Sequence, residues 1–169
     1  MSENEIAVTG DCWLGQEGLD SVLNLLRRTM QKAKSSVKMT AYSLTYNRDF
    51  LNLLQETLSR EIPVTLIINR YDNDDFDGVR GTISKMIKKH DNFTVKNFDP
   101  PYDGDLHAKI IVIDHQTDNC TALVGSANLS WRAITQNHEL SIVLKGNAAE
   151  TVGNLVELIS KKSESVNPD

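Results

Sequence analysis

The chain has 169 residues, 40% of them hydrophobic, and a formal net charge of −5 at pH 7. This size and apolar content suffice for one core, so residues 1–169 are predicted to form a single domain. The sequence has no apolar run that could span a bilayer and no charged-then-apolar leader, which predicts a cytoplasmic protein. Cys12 and Cys120 lack the spacing of metal ligands and are expected to be free thiols.

Helical and strand patterns alternate in the first part of the chain. Apolar residues recur at helical spacing over 19–30, 50–58 and 79–87, and Asn47 is placed to cap the second of these helices. Residues 37–41, 64–68 and 93–98 have the composition of strands. This alternation predicts an α/β fold in which a mixed β-sheet is flanked by helices on both faces.

The remaining apolar segments complete this prediction. Residues 110–114 and 120–124 are expected to form a hairpin around the turn-like segment 116–119, and residues 140–144 a further strand. The stripe from Val152 to Ile159 predicts a C-terminal helix, with a flexible polar tail over 163–169. All of these stripes are expected to face the core.

An acidic segment over residues 72–77 raises the question of a calcium site. It lacks the glycine and the distal glutamate of an EF-hand loop. A solvated loop before the third helix is therefore the favoured interpretation.

His107 and Lys109 precede the apolar run 110–113, and the tetrapeptide Gly-Ser-Ala-Asn follows at 125–128. Such a run predicts a strand buried on both faces, which would place His107 and Lys109 on the same side. Phosphodiester cleavage develops negative charge on phosphate oxygens, and Lys109, Ser126 and Asn128 offer donors for it. Imidazole, with a reference pKa of about 6.5, is largely neutral near pH 7, so His107 is suited to attack phosphorus. Such chemistry requires no metal and no other cofactor.

The pattern His-x-Lys-x4-Asp followed by Gly-Ser-x-Asn resembles the signature of the phospholipase D superfamily, and in particular its short, single-motif nucleases. The resemblance implies that Glu139 is the acidic residue that orients the nucleophilic histidine, by accepting a hydrogen bond from the far nitrogen of His107. The catalytic set it implies is His107, Lys109, Ser126, Asn128 and Glu139, supported by Asp114 and Gly125.

Two features qualify this assignment. Asp114 lies five residues beyond Lys109, and therefore points to the opposite face about 15 Å away, which indicates a structural role. Ten residues separate Asp114 from Gly125, more than the family commonly has. We interpret the excess as a longer hairpin that leaves both strand ends in place.

Further candidates for substrate contact follow the predicted strands or the Gly-Ser-x-Asn turn. Ligand sites in open α/β sheets lie at such strand ends, and an aromatic ring or a guanidinium can bind a base or a phosphate. The candidates are Tyr42, Ser43, Thr45, Asn69, Arg70, Trp131 and Arg132. Trp131 is equally suited to the core, and His90, His115 and His138 have no expected function.

The superfamily uses two histidines in one active site, whereas this chain has one His-x-Lys motif. A two-fold homodimer would supply the second histidine. The resemblance thus predicts a dimeric nuclease that cleaves DNA or RNA through a phosphohistidine, as the cutting subunit of a larger restriction or phage-defence system. The alternatives are a cardiolipin-type phospholipid hydrolase, which the lack of an interfacial helix disfavours, and an inactive scaffold, which the intact motif disfavours.

Overall fold

The computed structural model describes residues 5–72, 76–102 and 104–167. The strands are β1 (Ile6–Thr9), β2 (Asp20–Ser21), β3 (Val37–Ala41), β4 (Val64–Asn69), β5 (Phe93–Phe98), β6 (Lys109–Ile113), β7 (Thr121–Gly125), β8 (Glu139–Lys145) and β9 (Glu164–Ser165). The helices are α1 (Val22–Lys32), α2 (Arg48–Ser59), α3 (Asp77–Lys89), α4 (Trp131–Thr135) and α5 (Asn147–Lys161).

The described residues form one mixed sheet of nine strands in the order β2-β1-β8-β7-β6-β3-β4-β5-β9. Strands β3, β4 and β5 are parallel, because α2 and α3 return the chain to the same end of the sheet. Strands β6, β7 and β8 follow as an antiparallel meander that joins the parallel part through β3 and β6. The predicted mixed α/β sheet is confirmed.

Helices cover the sheet on both faces. One core cluster joins the apolar sides of α1, α2 and α3 to alternate strand residues such as Met39 and Ile111. The other cluster packs α5 against the opposite strand residues, including Ile67 and Val112. Each central strand therefore contributes apolar side chains to both layers, which explains the uninterrupted apolar runs of the sequence.

The helix boundaries follow their caps. Asn47 accepts hydrogen bonds from the backbone N–H groups of Asp49 and Phe50, as predicted. Ser21 caps α1, so this helix begins at Val22 and not near Leu19, whose side chain is 36% exposed. Leu155 of α5 is 54% exposed, so the prediction that every apolar stripe faces the core is wrong at these two positions.

The sheet edges differ from the sequence prediction. Strand β1, which the sequence analysis did not identify, pairs antiparallel with β8. Glu164 and Ser165 pair with β5, so the prediction of a flexible tail is wrong for β9. Strands β1 and β9 are both short and gain their stability from a neighbour, which leaves little periodic signal.

The predicted hairpin is present, with Lys109 opposite Gly125 at its open end. Part of the acidic segment, residues 73–75, lies outside the described residues. Among the helices of the described residues, none combines the length and apolar character needed to cross a bilayer.

Candidate active site

The residues of the motif lie together at one end of the central strands. The parallel strands β3 and β4 end there, β6 and β8 begin there, and β7 ends there. Lys109, Gly125 and Ser141 are consecutive neighbours across β6, β7 and β8. The antiparallel meander thus makes neighbours of three segments that are distant in the chain.

His107 lies in the loop before β6, and its side chain is exposed. The strand begins at Lys109, so His107 is not a strand residue, although the two side chains do meet as predicted. Lys109 Nζ lies 2.7 Å from His107 Nδ1 and also donates to the carbonyl oxygen of His107. In this arrangement Nδ1 accepts, which places the proton of a neutral imidazole on Nε2.

Tyr42 completes this cluster. Its ring centroid lies 4.5 Å from that of His107, and Lys109 Nζ lies 5.3 Å from the same ring. The aromatic face attracts the ammonium group and limits its access to water. Tyr42 therefore contacts both residues of the motif.

Lys109 is only 8% exposed. Burial lowers the pKa of Lys109, because the charged form loses hydration, and the negative charge of Glu139 opposes part of this shift. Lys109 therefore loses its proton at a lower pH than an ordinary lysine does.

Glu139 has a different partner from the one predicted. Its carboxylate accepts hydrogen bonds from Ser126 Oγ and, at 3.2 Å, from Asn137 Nδ2. Within residues 104–167 the expected bond between Glu139 and His107 is not formed, since Lys109 occupies the Nδ1 side of the imidazole. Ser126 Oγ in turn accepts from the backbone N–H of Leu140 at 3.2 Å.

Gly125 allows β7 and β8 to approach closely at this point. A Cβ atom there would lie 2.3 Å from the carbonyl oxygen of Leu140 and 2.4 Å from Ser141 Oγ. Only glycine fits, and the resulting contact places Ser126 beside Glu139.

Asn128 lies half-buried above the same strands. Its Oδ1 atom is buried and has no hydrogen-bond partner among the described residues. It borders a pocket that Thr40 and Lys109 also line. Buried polar groups are usually paired in folded proteins, so an unpaired amide beside a cation is typical of a ligand site.

Two further residues position the motif, of which Asn69 was a sequence candidate for substrate contact and Thr40 was not a candidate. Thr40 Oγ1 donates to the carbonyl oxygen of Ala108 at 2.7 Å and accepts from the N–H of Ile110 at 3.1 Å, which fixes both sides of Lys109. Asn69 accepts from the N–H of Leu106 at 2.8 Å and donates to Asp105 at 3.1 Å. Asn69 thus holds the loop that presents His107. The sequence signal for Asn69 is its position just after the predicted strand 64–68, and Thr40 has no such signal.

The remaining substrate candidates are placed less directly. Arg70 forms ion pairs with Asp99 and Asp105, at 3.7 and 3.6 Å, so its charge is already engaged. Thr45 Oγ1 accepts from the backbone N–H of Trp131 at 3.2 Å. Trp131 is 46% exposed and is therefore not a core residue. Ser43 is half-buried and Arg132 is exposed.

Asp114 lies at the far end of β6 and serves the fold. Its carboxylate accepts from the backbone N–H groups of Lys34, Ser35 and Ser36 and from Ser35 Oγ. Burial raises the pKa of Asp114, but these hydrogen bonds outweigh that effect and leave its pKa below the usual value. The contact ties the end of β6 to the start of β3.

The other histidines lie apart from this cluster. His90 contacts Gln55, and His115 is buried beside Asn154 of α5. His138 immediately precedes β8 and forms an ion pair with Asp11.

The sequence profile described as "Cardiolipin synthase, PLD-like domain" matches residues 26–162, a segment that contains every residue of the motif. The chain belongs to the phospholipase D superfamily. Its fold is the phosphodiesterase fold of that superfamily, and the resemblance drawn from the motif is confirmed.

Two relatives match over part of their length. The DISARM protein DrmC of Bacillus paralicheniformis is 25% identical over 145 residues, which cover 83% of this chain and 57% of that protein. Phospholipase D Y of Dictyostelium discoideum is 34% identical over 100 residues, which cover 57% of this chain and 21% of that protein. The chain thus spans less than two thirds of either relative.

Solved structures match the whole domain. The phospholipase D family member Nuc from Salmonella typhimurium superposes with a TM-score of 0.75 at 21% identity, covering 98% of this chain and 99% of Nuc. NucT from Helicobacter pylori gives the same TM-score and identity, covering 97% of this chain and all of NucT (100%). Phosphatidylserine synthase from Haemophilus influenzae gives a TM-score of 0.72 at 14% identity, covering 98% of this chain and 40% of the synthase. These similarities establish the shared fold.

Proposed function

We propose that the protein hydrolyses phosphodiester bonds of DNA or RNA without a metal ion, through a covalent phosphohistidine at His107. The observation that carries the proposal is the contact of His107 with Lys109 and Tyr42, beside the Ser126–Glu139 pair and Asn128, whose buried Oδ1 atom is unpaired. A nucleophile and several hydrogen-bond donors for phosphate oxygens therefore lie at the same end of the central strands.

The reaction would proceed in two displacements. His107 Nε2 attacks phosphorus, the bond from phosphorus to the leaving oxygen breaks, and a second, protonated histidine gives its proton to that oxygen. A water molecule then attacks the phosphohistidine, passes its proton to the second histidine and releases His107. Lys109 and Asn128 bind the phosphate oxygens on which negative charge develops.

The first step needs the lone pair of His107 on Nε2 and its proton on Nδ1. Lys109 now donates to Nδ1, so its ammonium group must turn to another acceptor before attack. The phosphate oxygens of a substrate are such an acceptor, because they carry full negative charge. Substrate binding would therefore move Lys109 to the phosphate and free the imidazole for the reactive tautomer.

The second histidine would come from an identical subunit. The chain has one His-x-Lys motif. His107 is exposed in the loop before β6, where a two-fold partner can reach it. Two apolar side chains near this edge, Trp131 and Leu140, are 46% and 47% exposed. Their exposure supports contact with a second subunit or with substrate.

Nucleic acid is the preferred substrate because Trp131 and Arg132 offer an aromatic ring and a cation beside the site. The net charge of −5 disfavours extended phosphate binding, so we propose that a partner in a restriction or phage-defence system supplies further positive surface. The similarity to DrmC, a DISARM protein, fits this proposal. We further propose a cytoplasmic location.

The test is to incubate the purified protein in EDTA with labelled single- and double-stranded DNA, RNA and cardiolipin vesicles. We expect cleavage of nucleic acid that falls steeply as salt rises, because counterion release drives binding. His107→Ala should abolish cleavage while its circular dichroism stays unchanged, and His90→Ala is the matched control that should remain active. After single-turnover quenching, labelled phosphate should remain attached to the wild-type protein.

Three results would count against the proposal. Full activity of His107→Ala would exclude the nucleophile, and unattached label would exclude the covalent intermediate. If the vesicles are hydrolysed while DNA and RNA both stay intact, the result would favour the phospholipid hydrolase over the nuclease.

A further inference from the structure

Three side chains with metal-binding atoms meet where β1 ends and β8 begins, next to Glu139 of the proposed catalytic set. Asp11 and Cys12 follow β1, and His138 immediately precedes β8. Asp11 Oδ1 lies 3.2 Å from His138 Nε2, and the ligand atoms of all three residues lie within 4.8 Å of one another. The cluster joins residues that are more than a hundred positions apart in the chain.

The backbone is shaped around the imidazole of His138. Gly10 adopts a φ of +98°, and a Cβ atom there would lie 2.5 Å from Cδ2 of His138. A larger residue at position 10 would therefore both strain the backbone and displace the ring. Trp13 packs edge-on against the same ring, with 5.2 Å between centroids. The imidazole is thus held from two sides, although the His138 side chain is 43% exposed.

The Nε2 atom of His138 lies between a carboxylate and a backbone donor. Asp11 Oδ1 is 3.2 Å from Nε2, a contact that a protonated imidazole makes as an ion pair. When Nε2 is unprotonated, it accepts the long contact from the backbone N–H of Cys12 at 3.4 Å. A metal ion would take the place of the proton between Nε2 and Oδ1, and its bond to the Nε2 lone pair would replace the contact with Cys12.

We propose that Asp11, Cys12 and His138 bind a zinc ion. Two ligands placed tetrahedrally around zinc at its usual bond lengths lie about 3.3 Å apart, close to the separation of Asp11 Oδ1 and His138 Nε2. Cys12 is exposed, and rotation of its short side chain brings the thiolate to the third position. Imidazole, thiolate and carboxylate together suit zinc, whereas magnesium and calcium prefer oxygen ligands alone.

Three protein ligands leave a fourth position for water or for a group of another molecule. The ion would fasten the segment after β1 to the residue before Glu139, and so stabilise the start of β8. It takes no part in the proposed phosphodiester chemistry, so removal of the ion by EDTA is compatible with cleavage. The two proposals stand or fall separately.

The test is zinc binding by the purified, reduced full chain, followed by calorimetry and thermal unfolding. We expect one zinc ion per chain, a rise in Tm with zinc but not with magnesium, and release of protons as the thiol ionises. With cobalt as a spectroscopic probe, a thiolate-to-metal absorption band should appear in the near ultraviolet.

Matched variants identify the ligands. Cys12→Ser and His138→Gln should each weaken zinc binding on the order of 100-fold and abolish the cobalt band or alter it, whereas Cys120→Ala and His90→Gln should leave both unchanged. Cys12 and His138 are exposed, so these substitutions should leave the fold intact. Absence of zinc binding, or wild-type affinity in Cys12→Ser, would overturn the proposal.

Discussion

Lys109 is the cation of the motif, and its surroundings decide how it titrates. It is nearly buried and lies against both the Tyr42 ring and the His107 imidazole. The sequence predicted the contact with His107, but neither the burial of Lys109 nor its contact with Tyr42. The chemical behaviour of the residue therefore follows from its neighbours, and it can be tested through pH.

Because burial lowers the pKa of Lys109, the cation is lost at a lower pH than for an ordinary lysine as pH rises. We expect turnover of the wild type to fall on the alkaline side, and Lys109→Ala to lose on the order of 100-fold at neutral pH. Lys109→Arg keeps its charge, so its residual activity should not show the alkaline fall. An identical alkaline fall in Lys109→Arg would assign that titration to another group. Steady-state rates from pH 6 to pH 10, roughly the range of interest, would decide.

Asp114 gives a second prediction at this scale, on stability. Its pKa is lowered in the folded protein, so its stabilising effect is present above its unfolded pKa and is lost as pH falls through the folded pKa. Asp114→Asn should lower the free energy of unfolding by about 2 kcal/mol at pH 7, because charge-assisted bonds to residues 34–36 weaken. The difference from wild type should shrink below about pH 4. Urea unfolding measures it, with exposed Asp118→Asn as the neutral control. A difference that is the same at pH 7 and pH 3 would contradict the role of the charge.

At the level of elements, the close pairing of β7 with β8 holds the site together. Gly125 is the point of closest approach, so Gly125→Ala should force the strands apart. We expect a loss of about 2 kcal/mol in the free energy of unfolding and a lower kcat, since Ser126 moves with the strand. Gly81→Ala in α3 is the matched control, because nothing lies within 4 Å of its added Cβ and alanine favours the helix. Equal effects of the two substitutions in denaturation and activity assays would refute this account of Gly125.

For the whole molecule, the proposed two-fold active site makes a prediction that separates it from two independent sites. Mixed dimers of wild type and His107→Ala should be almost inactive, because each composite site then lacks either the attacking histidine or the acid. Mixed dimers with His90→Ala should keep full activity. Purification through two different tags and measurement of turnover per dimer would test it. Half the wild-type rate, or an active monomer by light scattering, would rule out the shared site.

The sequence predicted the parts of this molecule that depend on local pattern. Apolar periodicity located β3, β5 and the apolar sides of α2 and α3, because a helix or strand repeats its buried side every few residues. The longer hairpin between β6 and β7 also followed, since its turn residues are adjacent in the chain. The short strands β1 and β9 were missed, because strands of two to four residues show almost no periodicity.

Residue types and their order in the chain were enough to predict the superfamily and the candidate catalytic residues, but not the partners of those residues. Glu139 pairs with Ser126 rather than His107, and Asn69 supports the loop that carries His107. Such bonds join positions far apart in the chain, so they are set by strand register and side-chain packing. The same holds for Cys12 and His138, whose spacing in the sequence gave no sign of the proposed metal site. Composition and sequence pattern determine which secondary-structure elements and candidate residues the chain has. The tertiary structure determines which side chains meet, because only the strand order of the sheet brings distant residues within bonding distance.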